Sequence, residues 1–288
     1  MSNTDLIVEE RSRDIGDFMV GRLLPFRKKR MVGPFIFIDH MGPAKLGPER
    51  YADVDQHPHI GLATLTYLLE GQIKHKDSLG TEKIITPGSV NWMVAGKGIT
   101  HTERTPQDLR GKELIMHGYQ IWVALPKEYE YCDPEFHHIA SDELPTWNDG
   151  EANFKLVAGT AYGKKSPLKV FSKMFMLDVK NKDEYQLNSA ENLFGEIGIV
   201  IVEGSIESDG ETITKGNMLI SKHDDHCNFK LNPNTHILIF GGEAFEEKMF
   251  IHWNFVASTK ERIEEAKELW INKAFPKVPG DNSYVPLP

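Results

Sequence analysis

Residues 56–71 read QHPHIGLATLTYLLEG, a histidine pair that leads into an apolar run closed by Gly71. Successive side chains of a β-strand point to opposite faces, so His57 and His59, two apart, share a face and can converge on one ion. Further on, GKGITHTER (residues 96–104) repeats the spacing with His101 and Glu103, again at the end of a glycine-bounded run. With 12 histidines in 288 residues, chance alone supplies about half a His-x-His pair per chain. The weight therefore rests on two such pairs, each at the end of a strand-like segment. Together they predict a metal held between neighbouring strands of a barrel. Three imidazoles and a carboxylate suit Fe, Ni, Cu, Zn, Mn or Co, and sites of this kind with open positions serve oxygen chemistry or hydrolysis.

Outward from these pairs the chain keeps the same texture. SVNWMVAG, YQIWVALP, FKLVAG, VFSKMFMLDV, IGIVIVEGSI and THILIFGG are short apolar runs punctuated by Gly, Asp, Asn and Pro, which predicts an all-β fold. One helix is expected near the end, in STKERIEEAKELWINKAF, with Ser258 as N-cap, Glu261 as its capping-box partner, and Ile263, Ala266, Leu269 and Trp270 on the packed face. Phe35, Phe37, Trp92, Met93 and Trp122 are expected core residues.

The chain also repeats itself. LLEGQI (68–73) recurs as IVEGSI (201–206), and TPGSVNW (86–92) is answered by TKGNMLI (214–220), in the same order. The second copy has Ala190 and Asn192 roughly where the first has His57 and His59, so only the first is expected to hold a metal. His223 and His226 nearby do not reproduce the spacing and read as surface groups. The expected domains are 1–135, metal-binding, and 136–288, metal-free with the terminal helix.

Composition narrows the function. With 40% hydrophobic and 26% charged residues the chain is an ordinary globular protein. A net charge of −9, with only the short basic run RKKR at 27–30, argues against a nucleic-acid surface, which must neutralise many phosphates. Cys132 and Cys227 are too few for a disulfide framework or a cysteine-rich zinc site and fit a reducing compartment, as buried thiols. The first residues are acidic where a signal peptide is apolar, and no apolar run approaches spanning length, so a cytoplasmic protein without membrane association is expected. His75, in HKDSLG, reads as a polar residue near a turn and is left out of the expected site.

The two histidine pairs and their glycines resemble the cupin motifs. The first cupin motif, G-x5-H-x-H-x3,4-E-x6-G, is matched at His57, His59 and Gly71, with Ala63 or Thr64 where its glutamate would stand. The second, G-x5-P-x-G-x2-H, is matched at Gly88, Gly96 and, two residues late, His101, with Val94 for the proline. The glutamate reappears as Glu103, an arrangement similar to that of pirins. GPFIFIDHMGP, HKDSLG, WMVAGKGITHTE, HGYQIWVALP and FPKVPGD extend the resemblance over nearly the whole chain.

The pirin resemblance implies a bicupin, two jelly-roll barrels in one chain, whose first barrel binds one metal, usually iron, through His57, His59, His101 and Glu103. It further implies a metal-dependent dioxygenase of the quercetin 2,3-dioxygenase type, in which a flavonol-like aromatic loses its 3-hydroxyl proton, takes up O2 and opens with loss of carbon monoxide. Glu103 is the expected catalytic base. The alternative is a non-enzymatic regulator whose metal redox state alters a surface that binds a partner protein.

Overall fold

The computed structural model describes all residues except 1–2, 16–18, 48–49, 189, 191 and 222–227. The expectations for His223, His226 and Cys227 lie outside the described residues. The molecule is built from β-strands, as the alternating runs require, with one α-helix among the described residues, Lys260–Ile271. No described helix is long and apolar enough to cross a membrane.

The strands form two compact units. One consists of Met1–Arg11, Gly21–Phe37 and Asp142–Phe245, the other of Ser12–Val20, Ile38–Ser141 and Glu246–Pro288. The chain thus leaves the histidine-bearing unit after Ser141 and returns to it at Glu246.

In the histidine-bearing unit a four-stranded antiparallel sheet runs in the order Val54–His59, Ile99–Arg104, Ile73–Asp77, Glu82–Ile85. A second sheet contains Glu135–Ile139, Val90–Val94, Leu62–Glu70 and Leu114–Ala124 in that order. The other unit repeats the plan. Its small sheet runs Tyr185–Asn188, Asn228–Leu231, Ser205–Ser208, Glu211–Thr214, and its large one Thr4–Glu9, Asn217–Ser221, Glu196–Glu203, His236–Gly242, Met174–Asn181, Ala152–Ala161, Thr146–Asp149. Identical strand order in the two small sheets is the three-dimensional form of the repeat in the sequence. Each unit is a cupin barrel.

What fills the two barrels differs. On the small sheet of the second, Leu187, Phe229, Leu231 and Ile206 are buried in one hydrocarbon cluster with Phe154, Phe175 and Ile199. Ala190 and Asn192, expected to occupy the histidine positions, lie in the turn beyond Tyr185–Asn188 instead. Apolar residues on the strands, rather than those two in the turn, take the place of ligands in the described part of this barrel.

The terminal helix differs from expectation at its start. Thr259, not Ser258, is the N-cap and accepts from the Arg262 N–H. Ser258 is committed elsewhere: its N–H and its hydroxyl both bond the Glu130 carboxylate. Ile263, Ala266 and Trp270 pack with Ile60, Phe255 and Phe275, whereas Leu269 faces solvent. Phe35, Phe37, Trp92, Met93 and Trp122 are all buried.

Candidate metal centre

Antiparallel register brings the two sequence pairs together. His101 lies opposite His57, and Ile99 opposite His59. On its other edge the same strand sets His101 opposite Asp77 and Glu103 opposite His75. Because side chains alternate, His57, His59, His75, Asp77, His101 and Glu103 project from one face of the small sheet. Gly61 follows the first strand with φ at +63°, and a Cβ there would stand 2.0 Å from the Val256 carbonyl oxygen. Only glycine permits this approach.

His57, His59 and His101 are buried, and one ring nitrogen from each lies within 4.8 Å of the other two. Their protons can be placed from their partners. His57 Nδ1 is 2.7 Å from the Asp55 carbonyl oxygen and His59 Nδ1 is 3.2 Å from that of Asn254. A carbonyl only accepts, so both rings donate from Nδ1 and keep a lone pair on Nε2. His59 Nε2 faces His101 Nε2 at 3.1 Å.

Burial keeps these rings neutral. It pulls the His57 pKa down to about 4, against the pull of the Asp55 carbonyl. It takes His59 and His101 well below the ordinary imidazole value, helped by repulsion from His57 and His75 and, for His101, from His59 as well. Buried, neutral imidazoles whose ring nitrogens converge are the donor set that a divalent transition metal takes. The triad can therefore hold a metal ion.

Glu103 is near but turned aside. Its Oε1 is 3.3 Å from the hydroxyl of Thr66, on the large sheet, which also stands 2.9 Å from Oε1 of its cross-strand neighbour Gln120. Burial raises the Glu103 pKa, offset by the nearby His75 and by Thr66. Trp122 packs edge-on against His59, with ring centroids 5.1 Å apart. Asn91, the cross-strand neighbour of Thr66, is held through Oδ1 by His138 Nδ1 at 2.6 Å, while its buried Nδ2 has no acceptor.

His75, which the sequence reading leaves out of the site, belongs to this group, and so does Asp77. His75 Nδ1 lies 3.3 Å from His101 Nδ1, and His75 Nε2 is 3.1 Å from Asp77 Oδ2. A signal for both is present in the chain: HKD is a third pair at the one-residue spacing of HPH and HTE.

Two barrels of this plan, one with three convergent imidazoles and the other filled with hydrocarbon, define a bicupin. Residues 17–123 match the pirin family and residues 174–276 match the pirin C-terminal cupin domain. The chain belongs to the pirin family. It is 43% identical over 289 residues, 99% of each chain, to a pirin-like protein of Caulobacter vibrioides. A Pseudomonas aeruginosa protein provisionally named a quercetin 2,3-dioxygenase is 36% identical over 265 residues, 91% of this chain and 82% of that one. Among solved structures, quercetin 2,3-dioxygenase from Acinetobacter baumannii superposes with a TM-score of 0.90 at 33% identity, covering 98% of this chain and 94% of that one.

Proposed function

We propose that the protein is a metal-dependent dioxygenase acting on flavonol-like aromatics with O2, in the manner of a quercetin 2,3-dioxygenase. The observation that carries the reading is three buried imidazoles whose ring nitrogens lie within 4.8 Å of one another, with the Glu103 carboxyl close by. The likeness to relatives named for quercetin oxidation supports the substrate class.

His57, His59 and His101 would hold one divalent ion, with iron the first choice, and Glu103 would add a carboxylate oxygen in the resting site. A bound ion supplies Lewis-acid and redox chemistry at an open coordination position. The residues do the rest. Glu103 accepts the 3-hydroxyl proton at a carboxylate oxygen, a task for which a raised pKa is suited. Thr66 holds that carboxylate when it is not engaged. Asn91 offers its unused Nδ2 protons to a substrate oxygen, and Trp122 helps keep water from the ligand rings.

The test is to load metal-free protein anaerobically with single metals and follow oxygen uptake and carbon monoxide release with quercetin and with flavones lacking the 3-hydroxyl. Uptake only with the 3-hydroxylated compounds is expected. No uptake at full metal occupancy with any flavonol would overturn the reading.

A further inference from the structure

We propose that Asp77 and His75 act as positioning residues that fix the proton on His101 Nδ1 and so hold His101 Nε2 open as a metal ligand. The inference rests on the reading of the three imidazoles as a metal site.

An imidazole can ligate through Nε2 only if its proton sits on Nδ1, and metal-binding histidines usually secure this with an acceptor behind the ring. His57 and His59 have such acceptors in the carbonyls of Asp55 and Asn254. Behind His101 there is instead another imidazole, His75, at 3.3 Å. A second imidazole is an ambiguous partner, since its facing nitrogen can either give or take a proton.

Asp77 removes the ambiguity. Its Oδ1 accepts from the N–H groups of Leu79 and Thr81, at 2.9 and 3.0 Å, which fixes the carboxylate in a turn. Its Oδ2 faces His75 Nε2 at 3.1 Å. A carboxylate only accepts, so His75 must donate from Nε2. With a single proton on the ring, His75 then has its lone pair on Nδ1, and the proton in the contact with His101 belongs to His101. The ring plane of His75 is fixed by Phe136, stacked on it with centroids 4.6 Å apart. Each step is set by the one before, back to two backbone N–H groups. In the second barrel the corresponding strand, Ser205–Ser208, reads SIES and carries no histidine, as expected where its paired strand Asn228–Leu231 has none to orient.

Asp77→Asn tests the idea without a change of shape. The amide oxygen would stay with the Leu79 and Thr81 N–H groups, leaving the NH2 to face His75 Nε2. His75 would then accept there, carry its proton on Nδ1 and donate to His101, whose own proton would move to Nε2 and block the ligand position. Long-range 1H–15N correlation spectra of the metal-free protein assign imidazole tautomers directly. Wild type should show His101 protonated on Nδ1 and His75 on Nε2, and Asp77→Asn should show both reversed. Affinity for nickel(II), used as the probe, should fall about 10- to 100-fold.

His75→Phe, which spares the Asp77 turn, provides a second variant should Asp77→Asn not fold. Its His101 should show mixed tautomers and weaker nickel binding. Wild-type His101 protonated on Nε2, or folded variants with unchanged tautomer and nickel affinity, would overturn the proposal. The stated tautomers in a wild-type protein that binds no nickel or iron would support the relay geometry and overturn the metal reading instead.

Discussion

The Nε2 atoms of His59 and His101 face each other at 3.1 Å, while the Nδ1–H of His59 donates to the Asn254 carbonyl. With the His101 proton on Nδ1, the two Nε2 lone pairs would repel at that distance, and a metal ion would answer that need for all three rings at once. One equivalent of metal per chain is therefore expected, lost in His57→Ala, His59→Ala and His101→Ala. Elemental analysis checks this. Free metal at about 100 times its dissociation constant should stabilise the fold by about 2.7 kcal/mol, read as a rise in Tm that the variants do not show.

The same burial makes the metal-free protein sensitive to acid. An unfolded chain binds a proton at each imidazole near pH 6.5, whereas folded His57 resists until about pH 4. As pH falls through that window the unfolded state takes up protons first, so stability present above pH 6.5 is lost progressively towards pH 4. From His57 alone the loss is roughly 3 kcal/mol, and His59 and His101 act in the same direction. Thermal melts of metal-free protein between pH 7 and 4 should show a steep fall in Tm, made shallower by His57→Ala. An equally steep fall in that variant would place the acid sensitivity elsewhere.

The all-β class and the heart of the candidate site are legible in the amino-acid sequence. Strand periodicity carries the first, and the spacing of HPH and HTE picks out His57, His59 and His101, whose ring nitrogens the fold sets within 4.8 Å of one another, with Glu103 turned aside. Long-range pairing is what a linear pattern does not carry. Nothing in HKDSLG says that His75 lies beside Glu103, because that depends on which strand pairs with Ile99–Arg104. Asn254 supplies only a carbonyl, which no side-chain pattern can announce. Ser258 has the chemistry of a cap, but Glu130, 128 residues away, claims both its N–H and its hydroxyl.

The second barrel should behave as pure packing. Phe229 is fully buried among Leu187, Leu231 and Ile206, so Phe229→Ala should cost about 3–5 kcal/mol through lost burial and the cavity left behind. Metal stoichiometry in the protein that remains folded should not change. Denaturant unfolding paired with elemental analysis measures both, and a loss of metal without loss of stability would contradict the assignment of this barrel as a scaffold.

Asn91 should act on substrate rather than on metal. Its Nδ2 is buried without an acceptor while Oδ1 is held by His138, so a donor is kept ready at an energetic cost of about 1–3 kcal/mol. Asn91→Ala is expected to raise KM for quercetin about tenfold or more while metal content stays at wild-type level. Unchanged KM would mean that the amide serves the barrel alone.

Glu103 separates turnover from binding. Glutamine has nearly the same shape and can still offer an oxygen to a metal, but it cannot accept a proton at neutral pH. With the carboxyl pKa raised by burial, Glu103 is a better base than an exposed glutamate, and its loss should be felt in the proton-transfer step. Glu103→Gln is expected to keep most of its metal while oxygen uptake with quercetin falls ~10²-fold or more. If metal content and activity fall together, the carboxylate serves chiefly as a ligand. If metal is retained and the rate does not change, the base lies elsewhere. A comparison with Thr66→Val sharpens the test: removing the hydroxyl 3.3 Å from Oε1 takes away a contact that lowers the Glu103 pKa, so the group should titrate higher still, and the acid limb of the kcat profile should move to higher pH.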